Sequence, residues 1–233
     1  MLQLVGVAKR YASASALAPL DLRVEPGELI AIVGPSGSGK STALRVVAGL
    51  IAPSEGAVIV DGRDVTGATP ARRDIAIVRG GGTLYAHLNV RDNVAFALRA
   101  RMMPDVEIAR RVAAAVRALA IDALVDRFPQ QLSSGQRQRV ALAGAVARAP
   151  RVFQFDDPLQ SLDARVRADV RRELRACTKD SASMYVTHDL GEAIAIADRI
   201  VVLRDGCVQQ IDTPSQIRAR PANAFVAEFF AAA

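Results

Sequence analysis

The clearest chemistry in the sequence lies in eight consecutive residues: Gly34, Pro35, Ser36, Gly37, Ser38, Gly39, Lys40 and Ser41. They fit the pattern G-x-x-x-x-G-K-[ST] and stand between an apolar run and a helical pattern, which is the context that a phosphate-binding loop requires. The glycines allow backbone N–H groups to turn towards a polyphosphate, and the following helix adds the positive end of its dipole. Lys40 would reach the β- and γ-phosphates, Ser41 could ligate Mg²⁺, and Thr42, which follows directly, is a further candidate for nucleotide binding. A glycine-rich turn with a chance lysine is the weaker alternative, so these residues predict a nucleotide-binding loop.

Two neighbouring acids, Asp156 and Asp157, come directly after the apolar run Val152–Phe155. Ligands of parallel sheets bind at the carboxyl ends of the strands, so Asp156 is placed to hold Mg²⁺ directly or through water. Taken alone, the pair could equally cap a following helix, because Pro158 comes next. Beside a phosphate-binding loop, the metal-binding interpretation is favoured.

His188 and Tyr11 are further candidates, and each has a plain structural alternative. His188 follows the apolar run Met184–Val186 and precedes Asp189, and this position at a strand end favours a functional imidazole over a satisfied structural histidine. Tyr11 on its own would be an aromatic residue in the core or on a strand face. A functional role for Tyr11 would need support from motifs elsewhere in the chain.

Hydrophobic periodicity predicts the elements that must position these side chains. Strands are predicted at Gln3–Val7, Leu20–Val24, Leu29–Val33, Ala57–Val60, Val152–Phe155 and Met184–Val186, with a helix at Lys40–Leu50. From about Val90 to Ala149 the period is helical, and the IVVL and CVQQI runs around Asp205-Gly206 predict a hairpin, followed by a short helix after Pro214. Strands that alternate with helices predict an α/β fold with a largely parallel sheet.

Composition limits the class of protein further. The chain has 233 residues, 51% hydrophobic and 23% charged, which is typical of a folded globular chain and not of a disordered or collagen-like one. The apolar run near the N-terminus is short and interrupted by charges, so neither a signal peptide nor a membrane span is predicted. The formal charge of +6 is spread along helical stretches, which favours solvated faces. Cys177 and Cys207 match no metal-ligand spacing and are expected to be reduced thiols used in packing.

The stretch Leu132-Ser133-Ser134-Gly135-Gln136 closely resembles LSGGQ, the signature sequence of ATP-binding-cassette (ABC) proteins. Three more segments are similar to ABC motifs: Tyr11 in KRY to the aromatic that stacks on adenine, Ser161-Leu162-Asp163 to the D-loop, and Val186-Thr187-His188-Asp189 to the switch-histidine segment. The resemblance extends over nearly the whole chain. It implies a P-loop NTPase fold with a mainly parallel central sheet, an antiparallel β subdomain at the N-terminal side and an inserted helical subdomain.

The resemblance also implies how the chain is divided. A single ABC ATP-binding domain would fill residues 1–233, with the core and the β subdomain in 1–78 and 150–233. The Q-loop and the helical subdomain with the signature would occupy about 79–149. No C-terminal regulatory domain is expected.

ABC proteins form head-to-tail pairs in which two ATP molecules lie between the P-loop of one subunit and the signature of the other. The resemblance therefore places Ser133, the N–H of Gly135 and Gln136 at the γ-phosphate of the partner's ATP, where a helix N-terminus favours an anion. Ser133 or Ser134 could also simply cap a helix, and both roles can hold together. By the same resemblance His188 contacts the γ-phosphate.

Three positions depart from the family pattern, and they lie where hydrolysis or coupling takes place. Relatives carry a Phe-Gln pair where this chain has Arg79 and Gly80, so the Q-loop glutamine that ligates Mg²⁺ is missing and glycine offers no side-chain oxygen. The general-base glutamate is replaced by Asp157, and a misplacement of about 1 Å can cost on the order of 10²-fold in rate. Ser134 replaces a glycine, which is a mild change. Nucleotide binding is therefore predicted more firmly than turnover.

The stretches PARRDIAIV, TLYAHLNVRDNVAF and CVQQIDTPSQI are similar to ATPases of bacterial sugar, glycerol-phosphate and polyamine importers. The resemblance predicts an ATP-hydrolysing importer subunit on the cytoplasmic face of the inner membrane, working with a second ATP-binding subunit, permease subunits and, indirectly, a periplasmic binding protein. The rival hypothesis is a nucleotide switch that dimerises on ATP but barely hydrolyses it. An ABC protein of DNA repair is disfavoured, and no nucleic-acid partner is expected, because the P-loop and signature are close in sequence and no sustained heptads separate them.

Overall fold

The computed structural model describes residues 1–12, 14–160 and 162–231. Its contacts divide the chain into two units, which are Met1–Ile75 with Arg151–Asp156 and Asp180–Ala233, and Ala76–Pro150 with Asp157–Lys179. Ser161, in the segment that resembles the D-loop, lies outside the described residues.

Strands and α-helices are interspersed along the chain, and they alternate singly from β7 to β9. In chain order they are β1 (Leu2–Tyr11), β2 (Ala14–Val24), β3 (Leu29–Val33), α1 (Lys40–Val47), β4 (Glu55–Val60), β5 (Arg63–Asp64), β6 (Ile75–Arg79), α2 (Val90–Arg99), α3 (Asp105–Ala118), α4 (Ser134–Arg148), β7 (Val152–Asp156), α5 (Ala164–Cys177), β8 (Ala182–Val186), α6 (Leu190–Ile196), β9 (Arg199–Arg204), β10 (Cys207–Asp212), α7 (Pro214–Ala219) and α8 (Ala224–Ala231).

The first unit contains the parallel sheet that carries the candidate site. Its strands lie in the order β10-β9-β3-β8-β7; β3 is parallel to β8 and β9, β8 is parallel to β7, and only β10 runs antiparallel within this set. Every residue of β3 and β8 is buried, which is why the apolar runs Leu29–Val33 and Met184–Val186 predict buried strands.

An antiparallel sheet in the same unit has the order β2-β1-β4-β5. Leu2 on β1 is opposite Val24 on one side and Val60 on the other, and all three side chains face the core. The alternation of buried and exposed positions along β2 and β4 is the pattern expected for strands with one solvated face. The predicted fold class, mainly parallel with an antiparallel β subdomain, is confirmed.

The second unit is mainly helical. Ile108, Val112 and Val116 are buried along one face of α3, and Leu119 follows directly after the helix, in agreement with the predicted helical face. Helix α5 begins after Asp163, whose carboxylate accepts a hydrogen bond from the N–H of Val166 at 3.0 Å. This is the usual N-cap arrangement of an aspartate.

Three features differ from the sequence predictions. Helix α1 ends at Val47 and not at Leu50, because Gly49 takes up a left-handed conformation with φ of 74° and so ends the helix. The segment Ile75–Arg79 forms a strand that periodicity did not assign. Cys207 is exposed, while Cys177 is partly buried and burial raises the pKa of its thiol, so the expected packing role holds only for Cys177.

Among the residues that the structure describes, every helix is too short or too polar to cross a lipid bilayer.

Candidate nucleotide-binding site

The loop from Gly34 to Gly39 has a backbone that only glycine can adopt without strain at key positions. The φ angles of Gly34, Gly37 and Gly39 are 149°, 80° and 100°, in the region that side chains disfavour. A Cβ atom at Gly34 would lie 2.1 Å from the carbonyl oxygen of Leu203, and one at Gly39 would lie 2.6 Å from that of Ala16. Both glycines are therefore required by packing as well as by conformation.

Lys40 points back along the loop that precedes it. Its Nζ donates hydrogen bonds to the carbonyl oxygens of Gly34 at 2.7 Å and Pro35 at 2.8 Å. The ammonium group thus lies over the turn, where a bound polyphosphate could replace the carbonyls as its partner. The first turn of α1, Lys40 to Ala43, contains no acidic side chain, so the positive end of the helix dipole is not neutralised there.

The loop encloses a small cavity. Its volume is about 140 Å³, and it is lined by Ala16 and by Gly37, Ser38, Gly39, Lys40, Ser41 and Thr42. Pro35, Ser36 and Gly37 are exposed at the outer side of the loop, whereas Ser38 is buried. A concave loop of glycines, N–H groups and a lysine at a helix N-terminus is suited to an anion of the size of a phosphate.

The turn between β9 and β10 supports the loop from the inside. The N–H of Gly206 donates to the carbonyl oxygen of Ser38 at 3.1 Å, and the N–H of Ala18 donates to the carbonyl oxygen of Gly206 at 2.9 Å. The sequence predicted this hairpin but gave no indication that it contacts the loop, since Ser38 and Gly206 are far apart in the chain.

The register of the parallel sheet brings three candidate segments to one edge. Asp156 is opposite Val186, and Val186 is opposite Ile32. The glycine loop begins two residues after Ile32, and His188 comes two residues after Val186. Because neighbouring strands lie about 4.8 Å apart, the backbone of Asp156 is about 10 Å from β3 in the plane of the sheet. The glycine loop, His188 and Asp156 therefore leave the sheet on the same side.

The residues that could hold Mg²⁺ supply oxygen ligands. Ser41 is exposed in the first turn of α1, and Asp156 is partly buried at the end of β7. Within the described part of the chain, no three His, Cys, Asp or Glu side chains cluster in a way that could hold a metal alone. A hydroxyl and a carboxylate fit Mg²⁺, which commonly takes one or two protein ligands together with phosphates and water. The donor set is therefore compatible with a metal that arrives with a nucleotide.

Asp157 has an unusual backbone conformation. Its φ angle is 44°, in the left-handed region that aspartate tolerates better than most residues. The alternative role, in which the acidic pair caps the next helix, is not what the structure contains, because Asp163 caps α5. Asp157 instead begins a turn, in which its carbonyl oxygen accepts from the N–H of Gln160 at 3.4 Å.

His188 is exposed in the short segment between β8 and α6, and Asp189 caps α6 by accepting from the N–H of Glu192 at 2.8 Å. The sequence identified His188 through its position after a strand. The buried side chains that surround this segment, above all Glu192, were not identified.

Tyr11 lies at the end of β1, where its ring is 46% exposed. The Nζ atom of Lys9 lies 5.0 Å from the ring centroid, which is a favourable cation–π distance. Tyr11 is opposite Ala14 on β2, and Ala16 two residues further on lies against Gly39. An exposed ring at this end of the β ribbon is available to stack on a base, and the alternative of a core aromatic is excluded by its exposure.

Arg73 bonds the C-terminal end of α1, the helix that begins at the nucleotide loop. The side chain is only 2% exposed, and its guanidinium donates to the carbonyl oxygens of Val46 and Val47 at 2.8 and 2.9 Å. It also donates to the carbonyl oxygens of Thr66 and Ala68 at 2.6 and 3.0 Å. Burial lowers the pKa of Arg73, while the nearby charge of Asp64 opposes this shift. A cation at this position satisfies the C-terminal carbonyls of α1 and complements its dipole.

In the second unit, the signature-like stretch forms the start of α4. The Oγ of Ser133 accepts from the N–H of Gln136 at 3.2 Å, and the Oε1 of Gln136 accepts from the N–H of Ser133 at 2.9 Å. This is a capping box, so the capping role of Ser133 is present; Ser134 is the first residue of the helix. Gly135 is buried, and a Cβ there would lie 2.6 Å from Cγ1 of Val166.

The glycine segment after β6, Gly80 to Gly82, carries no amide side chain. Gly81 and Gly82 have φ angles of 81° and 57°, and a Cβ at Gly82 would lie 2.5 Å from the backbone carbonyl carbon of Arg137. Gly82 is therefore needed for the close approach of this segment to α4.

The sheet order, the glycine loop at a helix N-terminus and an acid on β7, two strands from β3, define a P-loop α/β fold. Residues 17–160 match the protein family described as ABC transporter. The chain belongs to this ABC transporter family.

Similar proteins agree with this assignment. The chain is 49% identical over 98% of its length to the sn-glycerol-3-phosphate import ATP-binding protein UgpC of Chromohalobacter salexigens, of which it covers 62%. Its structure resembles that of cbiO1 from Clostridium perfringens, part of the ABC transporter complex cbiONQ, with a TM-score of 0.84, 26% identity and coverage of 95% of this chain and 91% of the other.

A second solved structure is a dimeric, post-hydrolysis state of an ATP-binding cassette bound to ADP and phosphate. It has a TM-score of 0.77 and 29% identity, and the match covers 91% of this chain and 98% of the other. The chain covers 62%, 66% and 63% of three glycerol-phosphate import relatives, slightly less than two thirds of the length of each.

Proposed function

We propose that this chain is the ATP-binding subunit of an ABC importer and that it hydrolyses ATP to drive transport. The observation that carries the proposal is the common edge of the parallel sheet, where the glycine loop, His188 and Asp156 emerge from β3, β8 and β7. A loop that binds phosphate, an acid for Mg²⁺ and an imidazole at the distal phosphate are the parts that phosphoryl transfer to water requires.

Each residue has a role in the proposed reaction. The loop N–H groups and Lys40 bind the phosphates, and Tyr11 stacks on the adenine ring. Mg²⁺, held by Ser41 and Asp156, would neutralise charge on the β- and γ-phosphates. Asp157 accepts a proton from the attacking water, and His188 donates a hydrogen bond to the γ-phosphate.

The proposed active form is a head-to-tail dimer. Ser133, Gly135 and Gln136 at the start of α4 bind the γ-phosphate of ATP held by the other subunit, since a helix N-terminus favours an anion. The dimeric relative with ADP and phosphate bound supports this arrangement. The dimer would act on permease subunits at the cytoplasmic face of the membrane, with a periplasmic binding protein delivering the solute.

The proposed solute class is phosphorylated polyols or sugars. It rests on the UgpC relatives named for sn-glycerol-3-phosphate import. Permease subunits encoded beside this gene should be reconstituted with the chain in proteoliposomes. Hydrolysis that rises with sn-glycerol-3-phosphate and its binding protein would support the class, whereas stimulation by another solute alone would replace it.

The activity itself is tested with the purified chain. We expect binding of Mg²⁺-ATP and release of phosphate, and we expect Lys40→Ala to abolish both. Lys9→Ala is a matched control, because it removes a lysine near Tyr11 without touching the loop; it should keep turnover and weaken ATP binding by about threefold at most. A chain that fails to bind ATP would refute the proposal.

A nucleotide switch with little hydrolysis is the second candidate, and Gly80 and Asp157 favour it. The test compares turnover of the unmodified chain with that of a Gly80→Gln, Asp157→Glu variant. The glutamate must adopt the left-handed conformation of position 157, at a cost of about 1–2 kcal/mol, so stability is measured alongside. A large gain in the variant supports the switch, whereas ordinary turnover by the unmodified chain rules it out.

A further inference from the structure

A buried carboxylate lies beneath the segment that carries His188. Glu192, in α6, is only 6% exposed, and its Oε1 accepts a hydrogen bond from the hydroxyl of Tyr185. Its Oε2 accepts from the hydroxyl of Thr187 at 3.2 Å. Both oxygens of the carboxylate are thus bonded to hydroxyl groups on the strand β8 or directly after it.

The two neighbours of His188 in the chain are joined to each other, and the carboxylate holds one of them, Thr187. The N–H of Asp189 donates to the Oγ1 of Thr187 at 3.1 Å, and the N–H of Glu192 donates to the Oδ1 of Asp189 at 2.8 Å. Thr187 in turn bonds Glu192. The bonds form a closed set around the backbone of His188, while its own side chain remains exposed.

The set is anchored in the core next to another candidate residue. Tyr185 is fully buried, and its ring centroid lies 5.8 Å from that of Phe155. Phe155 directly precedes Asp156 on β7. A buried, satisfied polar network of this kind has one favoured arrangement, because any displaced member would leave a polar atom without a partner in a low-dielectric region.

We propose that Glu192 is a positioning residue for His188. The carboxylate accepts from the hydroxyl of Thr187, and the Oγ1 of Thr187 in turn accepts from the N–H of Asp189. The carboxylate thereby fixes the backbone on both sides of the imidazole, so that the ring faces the terminal phosphate without first being ordered. This proposal rests on the proposed function, in which His188 contacts the γ-phosphate. A pre-ordered group loses less conformational entropy when its ligand arrives, and the contact is correspondingly stronger.

The first test compares two nucleotides that differ at the terminal phosphate. Affinities for Mg²⁺-AMP-PNP and Mg²⁺-ADP are measured for the unmodified chain, for Glu192→Gln and for Tyr185→Phe. Glutamine keeps the shape of the side chain but has one acceptor oxygen in place of two. We expect both variants to bind AMP-PNP about three- to tenfold more weakly and to bind ADP within about twofold of the unmodified chain.

A variant that only weakens the fold would not change the ratio of the two affinities. Equal loss for ADP and AMP-PNP, or no loss for either, would overturn the role of Glu192. The His188→Ala variant completes the comparison, since combining it with Glu192→Gln should add little to the loss from His188→Ala alone. Additive losses would also contradict the proposal.

The second test observes the imidazole directly. The sequence contains two histidines, His87 and His188, so the imidazole Cε1–H signals in NMR spectra are assigned with His87→Gln and His188→Gln variants. We expect AMP-PNP to shift the His188 signal of the unmodified chain, and we expect that signal to be broadened in Glu192→Gln, with His87 unaffected.

The two proposals fail in different ways. If AMP-PNP does not shift the His188 signal of the unmodified chain, the γ-phosphate contact is contradicted, and with it that part of the proposed function. A normal response in the unmodified chain and an identical response in Glu192→Gln would leave the proposed function intact and overturn the positioning role.

Discussion

The N–H of Gly206 donates a hydrogen bond to the carbonyl oxygen of Ser38 at 3.1 Å, which joins the turn of the β9–β10 hairpin to the middle of the phosphate-binding loop. Gly206 has a φ angle of 77°, and a Cβ atom there would lie 3.2 Å from the backbone carbon and oxygen of Ala16. We expect Gly206→Ala to displace this turn and to weaken ATP binding about fivefold, the equivalent of about 1 kcal/mol. Titration with a fluorescent ATP analogue measures the effect.

Gly62 provides a matched control for this prediction. It has nearly the same φ angle, 76°, but a Cβ atom there would meet nothing within 4 Å. Gly62→Ala should cost about 1–2 kcal/mol of stability, as any residue with a side chain does in this conformation, and should leave nucleotide affinity unchanged. Equal affinities for the two variants would show that the hairpin turn has no influence on the loop.

Arg73 and its neighbour Arg72 offer a comparison between a buried and an exposed arginine. Arg73→Met should lower the free energy of unfolding by roughly 3 kcal/mol or more, because backbone carbonyls at the end of α1 lose their donors inside the protein. Arg72 is exposed, and Arg72→Met should change stability by about 0.5 kcal/mol or less. Urea unfolding followed by circular dichroism distinguishes them, and similar midpoints would refute a special role for Arg73.

The sequence predicts the main elements of the site, but it does not predict the contacts of Arg73, Gly206 and Glu192. The strand Leu29–Val33, the glycine loop and Asp156 were predicted because each is encoded by neighbouring residues, through an apolar run, glycine spacing or a strand end. The fold class followed from the alternation of such elements.

The supporting contacts depend on how distant segments pair. Gly206 meets Ser38, and Arg73 meets Val46 and Val47, only because the sheet and helix pack in one arrangement. A single sequence shows an Asp-Gly turn or one arginine among many, and nothing local distinguishes a supporting residue from a solvated one. The left-handed backbone of Asp157 likewise could not be predicted from the neighbouring residues.

Glu107 should make a pH-dependent contribution to stability. Hydrogen bonds from Arg110 and Arg111, with nitrogen–oxygen distances of 2.7 Å, lower its pKa from 4.5 to about 2. A carboxylate with a lowered pKa in the folded state stabilises the protein above its unfolded pKa, and this contribution is lost as the pH falls towards the folded value.

The measurement compares urea midpoints of the unmodified chain and Glu107→Gln. We expect the small advantage of the unmodified chain at about pH 6 to shrink by about pH 3. The group is on the surface, so high salt should reduce the advantage at every pH. A difference that is constant with pH would mean that the ion pairs do not contribute to stability.

Ser133 has both a capping role in the structure and a proposed role at the partner's ATP, and one substitution separates them. Aspartate is at least as good an N-cap as serine, so Ser133→Asp should keep α4 and the stability of the unit. Its carboxylate would, however, face the γ-phosphate of ATP held by the second subunit, and like charges repel. We therefore expect Ser133→Asp to abolish ATP-dependent dimerisation, measured by light scattering after gel filtration.

Two control variants separate the loss of the cap from the effect of the added charge. Ser133→Ala loses the cap and should cost about 0.5–2 kcal/mol of stability, while adding no charge at the interface. Thr213 caps α7 in the same manner, with its Oγ1 accepting from the N–H of Gln216 at 3.3 Å, so Thr213→Asp introduces the same charge at an unrelated helix start. It should dimerise normally with ATP. If Ser133→Asp also dimerises normally, the role of Ser133 is confined to capping its own helix, and the head-to-tail site must be built without its side chain.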